Sequence, residues 1–384
     1  MNQPPLRAFL VDPSLYTEAY DAALTEGLVA ASVDPIWAIR PARHGDTARI
    51  PPSRVGMWFY RYSDMLPKVL PKLRAGAKGL AHAVGLARLA RRVGAQDADV
   101  IHFQWTVIPA LDALAMWLMR QSRPVVLTVH DTTPFNGDRM PFLQRAGFHL
   151  PMLMADRVIV HTQAGYRALI ELGLPAEKIA VVPHGPLRLT ERGASVASKD
   201  RDARYTFTVF GELKAYKGLD VLVEAVSTLP PAIRAAARWV IAGRARMDLA
   251  PLLRRISDCD LDLHFDLRLR RQSEGELANI LDETDCFLFP YRQIDASGAY
   301  YLTRSENKWI IASKLGIFAE DVGDGRHGSL VTPGSAQSLA DAMTHALTEH
   351  PTPVNRESSP DWLAIGRMTA EVYKDACTSG GRAR

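Results

Sequence analysis

The chain has 384 residues, with 46 Lys+Arg against 42 Asp+Glu, a formal net charge of +4 and 47% hydrophobic residues. It is too long for one compact core and suits two domains, too apolar for a disordered chain, and too weakly charged for a nucleic-acid partner. No run approaches eighteen apolar residues, which excludes a membrane-spanning helix, and three scattered cysteines (Cys259, Cys286, Cys377) form neither a disulfide framework nor a metal-ligand spacing. A reducing, cytoplasmic setting is the expectation.

Charge is uneven along the chain. Residues 1–190 hold 21 Lys+Arg against 15 Asp+Glu, and the remainder 25 against 27. The front half is therefore the better candidate for meeting an anionic surface or acceptor. Leu6 to Val11 reads as a strand and not a signal peptide, because Arg7 interrupts the apolar run and Asp12 follows it. An amphipathic helical pattern runs from Tyr16 to Ala31, without a glycine fingerprint before it. Residues 40–60, rich in Arg, Pro and Gly, read as an irregular loop.

From Arg61 to Arg92 there are eight Lys+Arg and one acid, Asp64. Leu66, Leu70, Leu73, Ala77, Leu80 and Val84 recur at helical spacing, with Lys68 and Lys72 off that stripe. Such a segment can lie on an anionic bilayer; the other reading is a solvated helix packed on the sheet. Pro67, Pro71, Gly76 and Gly79 argue against one continuous helix.

Asp99 to Phe103 and Pro124 to Val129 are buried-strand patterns. The second delivers His130-Asp131 at its carboxyl end, where imidazole and carboxylate can hydrogen-bond a ligand or move a proton. A capping aspartate beside a half-buried histidine is the plainer reading. Arg157 to His161 and Ile179 to Val182 are further strands, the last ending in Pro183-His184-Gly185. Residues 189–204 read as a linker between a domain 1–188 and a domain 205–358, with 359–384 as a final helix and a frayed tail from Ser379.

Tyr205 to Phe210 restarts the strand–helix alternation and leads into FGELKAYKGLDVLVEAV. Lys214 and Lys217 stand at a helix start, where lysine is normally poorly placed. Two cations there make sense if a diphosphate sits between them and the helix amides. Trp239 to Ala242 and Leu261 to Phe265 are strands, Arg268 to Arg271 a basic turn, and Ser273 to Leu281 a helix. Cys286 to Phe289 is a short buried strand stopped by Pro290. After it come Tyr291-Arg292, a polar turn with Asp295, Ser297 and Gly298, a helix Ala299 to Ser305, and a strand Trp309 to Ala312. Ser297 and the amides at Gly298 and Ala299 could hold a phosphate. Gly323 to Gly328 fits GxGxxG but precedes a strand pattern, which argues against a dinucleotide cradle.

These motifs carry a resemblance. FGELKAYKG, PYR followed by IDASG, HD at a strand end, and the run ADRVIVHTQAGYRALIELGLPAEKIAVVPHGP resemble the GT4-like glycosyltransferases of bacterial exopolysaccharide assembly. The resemblance implies a GT-B α/β fold: two Rossmann-like domains facing a cleft, with a C-terminal helix crossing back to the first. It implies donor contacts at Gly211, Lys214, Lys217, Arg268, Tyr291, Asp295, Ser297, Gly298 and Thr303. It also implies acceptor-side positions Tyr16, Tyr20 and Asp21, and catalytic roles for His130, Asp131, Lys217 and Asp295. The donor would be a nucleotide sugar, with no metal or other cofactor. The acceptor would be a saccharide carried on a lipid at the inner membrane face, with retention favoured over inversion. The sequence departs from the family's paired acids. Asp295 stands near the first, but eight positions later is Thr303, which keeps a catalytically silent nucleotide-sugar-binding scaffold open as an alternative. A phosphorylase or epimerase of the same fold is a further one.

Overall fold

The computed structural model describes residues 4–43, 46–63, 71–95, 98–133, 142–189, 204–323, 325–354 and 360–380. Nearly all of the expected linker, together with Lys68, lies outside the described residues. Two compact units are present. Unit 1 takes the described residues up to Gly185 and again from Pro360 onward, and unit 2 takes those from Pro186 to Val354.

Unit 1 contains β1 (Leu6–Asp12), α1 (Glu18–Ala30), β2 (Val33–Ile39), β3 (Val55–Met57), α2 (Pro71–Ala95), β4 (Val100–Phe103), α3 (Pro109–Met119), β5 (Val125–Val129), α4 (Phe142–Arg145), α5 (Leu150–Met154), β6 (Arg157–Val160), α6 (Gln163–Glu171) and β7 (Ile179–Val181). Unit 2 contains β8 (Tyr205–Phe210), α7 (Leu219–Thr228), α8 (Pro231–Ala236), β9 (Ala237–Ala242), α9 (Ala250–Asp258), β10 (Phe265–Arg268), α10 (Glu274–Glu283), β11 (Cys286–Phe289), α11 (Gly298–Thr303), β12 (Trp309–Ser313), α12 (Gly316–Asp321), β13 (Gly328–Val331) and α13 (Ala336–Glu349). The last helix, α14 (Trp362–Gly380), belongs to unit 1.

Each unit is built on one wholly parallel sheet, ordered β3-β2-β1-β4-β5-β6-β7 in the first and β10-β9-β8-β11-β12-β13 in the second. Parallel strands buried on both faces read as apolar runs, which is why Val125–Val129 and Cys286–Phe289 were legible as strands. Side-chain alternation splits each sheet's burial between two cores. In β1, Phe9 and Val11 join Leu86, Leu89 and Phe103 on one face, while Ala8 and Leu10 join Leu24, Trp37 and Tyr373 on the other. Each large side chain so buried contributes about 1.5–3 kcal/mol.

Three local expectations are corrected. First, α2 is one continuous helix from Pro71; proline is tolerated as a first helical residue, because that position has no intrahelical partner for an N–H. Its core face is Leu86, Leu89 and Val93, whereas Leu73, Leu80 and Val84 are exposed, Leu80 to 68%. The expected stripe thus faces away from the sheet. Second, β10 begins at Phe265, and Leu261 closes the turn after α9 by bonding back to Ile256 O. Arg268 is consequently a strand residue and not part of a turn. Third, α14 is helical as far as Gly380, where a frayed tail was expected from Ser379; Ser379 Oγ accepts from Arg157 Nη2 at 2.6 Å.

Helix α14 is held to unit 1 by contact between backbones. A Cβ on Gly27 of α1 would lie 2.0 Å from the carbonyl oxygen of Trp362, and one on Gly366 would lie 2.1 Å from the backbone of Gly27. Tyr373 extends the attachment into the sheet, its hydroxyl 2.6 Å from His102 Nδ1. Gly27→Ala should therefore lower stability by about 1–3 kcal/mol through overpacking. Gly76→Ala, with open space around its site in α2, should raise it by up to about 1 kcal/mol. Helix propensity alone predicts that both gain, so denaturant melts of the two variants separate the explanations.

Candidate functional site

In unit 2 two loops at the carboxyl ends of neighbouring strands meet. The β8–α7 loop carries Gly211, Lys214 and Lys217, and the β11–α11 loop carries Tyr291 to Ser297. Arg292 N donates to Tyr216 O at 2.7 Å, and the Arg292 guanidinium reaches Asp220 at 2.5 Å. Tyr291 packs its ring edge-to-face on Tyr216, centroids 5.6 Å apart. Glycine is required where these loops close. Gly218 has φ +68, and a Cβ there would stand 2.0 Å from Pro290 O; Gly243 has φ +147, and one there would strike Gly211 O.

Lys217 is 4% exposed, and its Nζ gives one hydrogen bond, to Phe210 O at 2.8 Å. The ammonium also stands 5.4 Å from the centre of the Tyr291 ring and 2.9 Å from where a Gly211 Cβ would be. That same Cβ position is 3.6 Å from Ala299 Cβ. Lys217 is thus aimed into the space that Gly211 leaves beside the first turn of α11. Burial brings its pKa down to about 7, with Glu212 opposing the shift and the Lys214 charge adding to it. Lys214 is half-buried, its Nζ 5.8 Å from the Tyr216 ring centre.

Ser297 caps α11, accepting from Tyr300 N at 3.4 Å, and Gly298 faces open space. Asp295 is half-buried, and its carbonyl accepts from Ile317 N. Thr303 is buried and donates to Tyr300 O at 2.8 Å. Arg268 is held by Asp266 at 2.7 Å and Glu283 at 2.5 Å, in a network that also takes Arg238.

In unit 1 the carboxyl ends of β1, β4, β5, β6 and β7 gather a second group. His130 follows β5 and lies flat on Trp105, centroids 4.6 Å apart at 10°. Its Nδ1 faces His161 Nε2 at 3.2 Å, and its Nε2 faces Gln104 Oε1 at 3.3 Å. Tyr20 presents its ring to His130, His161, His184 and Trp362. Burial holds His130 and His161 well below the usual imidazole range, His161 at about 4. A cavity lined by Gln104, Trp105, Thr106, His130, Asp131 and Phe148 adjoins this group.

The three acceptor-side expectations separate. Tyr16 is 51% exposed and meets Trp105 edge-on. Tyr20 and Asp21 are buried and support other groups instead of facing an acceptor. Burial, reinforced by the Asp12 charge, pushes the Asp21 carboxyl well above the usual carboxylate range. Asp12 accepts the N–H groups of Ser14, Tyr16 and Thr17, fixing the loop before α1.

Residues 20–185 match the model of Glycosyltransferase Family 4, and residues 204–349 that of Glycosyl transferases group 1. The chain belongs to the GT4-like glycosyltransferases. No curated protein matches it. Among solved structures, Anabaena Alr3699/HepE in complex with UDP-glucose is similar, with TM-score 0.67, 18% identity, and 98% of this chain and 99% of that one covered. Sucrose-phosphate synthase from Thermosynechococcus elongatus has TM-score 0.65 at 16% identity, with 98% of each chain covered. The lipopolysaccharide glycosyltransferase WaaG has 0.60 at 12%, again with 98% of each chain. At such identities the likeness speaks for the fold, which is GT-B.

Three residues of the candidate site in unit 1 were not singled out from sequence: Gln104, Trp105 and His161. Each follows the carboxyl end of a parallel strand, where ligands meet open α/β sheets, and that rule applied to every strand would have found them. Among the described residues no group of three or more His, Cys, Asp or Glu is placed to hold a metal ion.

The lowered Lys217 pKa sets a stability slope. Below about 7 the lysine is charged folded and unfolded, and the folded state carries the full cost of a buried charge. Between about 7 and lysine's ordinary 10.5 only the unfolded state binds the proton, so folding gains as pH rises. Relative to Lys217→Met, the glycosyltransferase should gain about 1 kcal/mol per pH unit from pH 7 to 10 in urea melts.

Proposed function

We propose that this glycosyltransferase moves a hexosyl group from a nucleotide-diphosphate sugar to a hydroxyl of a lipid-linked saccharide, with retention at the anomeric carbon. The carrying observation is Lys217: an almost fully buried ammonium aimed at the gap between Gly211 and the start of α11, with two N–H bonds left for a ligand. UDP-glucose occupies the similar HepE structure, which fits a diphosphate in that gap here. The anomeric C–O bond breaks with its electron pair passing to the diphosphate, and the acceptor oxygen forms the new bond. In the retaining reaction the acceptor proton goes to the departing diphosphate, so no protein base is needed. Fixed donors facing the developing anion lower the barrier most. Lys217 and Lys214 would supply them together with backbone N–H groups near Gly298, with Asp295 a sugar contact in the same unit; in unit 1, His130 would bond a saccharide hydroxyl. Under an inverting course Asp131 would be the base.

Arrival of a dianion raises the Lys217 pKa, so diphosphate binding takes up a proton at neutral pH. Lys217→Ala should lower turnover at least tenfold with the fold intact by circular dichroism; near-wild-type turnover would exclude the assignment. A thermal-shift series with UDP-, GDP- and ADP-sugars names the base.

Helix α2 supports a membrane-surface role. Its exposed leucines lie beside Lys78, Arg88 and Arg91, and α3 adds exposed Leu114, Trp117 and Leu118. No helix among the described residues is long and apolar enough to cross a membrane. Replacing Lys68, Lys72 and Lys78 together by Gln should weaken co-sedimentation with phosphatidylglycerol vesicles severalfold; unchanged sedimentation would rule the surface out.

Thr303 favours a second reading, a nucleotide-sugar-binding scaffold. It stands eight positions after Asp295, where the resemblance implies an acid, and its hydroxyl is committed to Tyr300 O. Tight donor binding with neither transfer nor donor hydrolysis in purified protein would select that reading.

A further inference from the structure

A line of hydrogen bonds runs from a backbone carbonyl to His130. His161 Nδ1 lies 2.9 Å from Val182 O, and His161 Nε2 lies 3.2 Å from His130 Nδ1. A carbonyl only accepts, so His161 carries its hydrogen on Nδ1. Burial keeps His161 neutral, so it has one ring hydrogen and its Nε2 is bare. That bare nitrogen requires an N–H from the atom opposite it, His130 Nδ1. His130 is kept neutral by burial and by His161, His184 and His102, so its own Nε2 is left with a lone pair.

We infer that His161 is a positioning residue: anchored by Val182 O, it locks His130 as the Nδ1–H tautomer and turns His130 Nε2 into a hydrogen-bond acceptor for a sugar hydroxyl. The inference rests on the proposed contact between His130 and sugar. Free histidine favours the opposite tautomer, with hydrogen on Nε2, so the lock would have a chemical effect. A ring with Nε2–H could only donate, and a sugar hydroxyl would have to turn its own hydrogen away.

The surroundings keep the ring in place. Trp105 stacks on one face of His130, and its Nε1 is tied to Thr17 Oγ1 at 2.9 Å. Tyr20 sets its ring edge-to-face against His130 at 5.2 Å and tilted against His161 at 5.5 Å. Gln104 is buried, and a half-turn of its amide presents either oxygen or NH2 to His130 Nε2. Without substrate the lone pair selects NH2, which turns the Gln104 oxygen to the His102 ring that the Gln104 Nε2 otherwise faces at 3.3 and 3.4 Å. His130 Nε2 has one lone pair, so a sugar hydroxyl would take the place of that NH2. The titratable groups facing the pair are His102, His184 and Tyr20, with Asp131 next in sequence.

Histidine-selective 15N NMR of the full chain without substrate reads the tautomer directly. The expected spectrum shows His130 protonated at Nδ1 and bare at Nε2; hydrogen on Nε2 would overturn the inference. His161→Leu should release His130 to the Nε2–H form and lower kcat at least fivefold, with donor KM little changed. His161→Gln, which restores an acceptor near the Nε2 position, should recover both the tautomer and most of kcat. A locked tautomer with unchanged kcat in His161→Leu would overturn the positioning role. Wild-type turnover in His130→Ala would instead defeat the reading of His130 as a sugar contact, and that result is separable because the NMR assignment needs no turnover.

Discussion

Parallel strand pairing is the constraint from which this molecule follows. When every strand in a sheet points the same way, every strand-to-helix loop emerges at one edge, and the apolar runs can be buried on both faces without losing that edge to the core. Both units obey this rule. In unit 1 it gathers Asp12, Gln104, His130, His161 and His184. In unit 2 it brings the loop holding Lys217 against the loop holding Tyr291 and Ser297. The polar groups are close because their strands are neighbours: β4, β5 and β6 in one case, β8 and β11 in the other.

Burial then decides what those groups can do. Lys217 and His161 lie among ring and backbone atoms, and both are pushed toward their neutral forms. A lysine poised near neutrality beside a carbonyl gains charge when an anion arrives, and a neutral histidine beside a carbonyl has its tautomer chosen for it. Exposed copies of the same residues would have neither property.

Much of the fold was legible because it rests on local patterns. Val125–Val129 and Cys286–Phe289 announce themselves as buried runs, and Ser273 with Glu276 forms a capping box at the start of α10. The glycines of the β8–α7 and β9–α9 loops were legible as sequence positions, but their physical cause was not. Only the folded chain shows that Gly218 gives way to Pro290 O, or Gly243 to Gly211 O. Contacts between residues far apart in sequence left no local mark: Trp105 with His130, or His161 with His130, pair residues from different strand ends. Helix α2 left two readings open in the sequence, bilayer contact or packing on the sheet. Its stripe of leucines is as regular as a core face, yet a second stripe, Leu86, Leu89 and Val93, does the packing. Periodicity identifies a helix without saying which of two apolar faces meets the sheet.

The seat of α14 bears on how the chain is made. A ribosome produces all of unit 2 before it reaches Trp362, so unit 1 must persist through that interval with the groove beside Gly27 unfilled. The nascent α1 would expose Leu24 and Leu28 to chaperones for as long as some 175 further residues take to emerge. A swap of the late helix between two nascent chains on one message is the error that such timing invites.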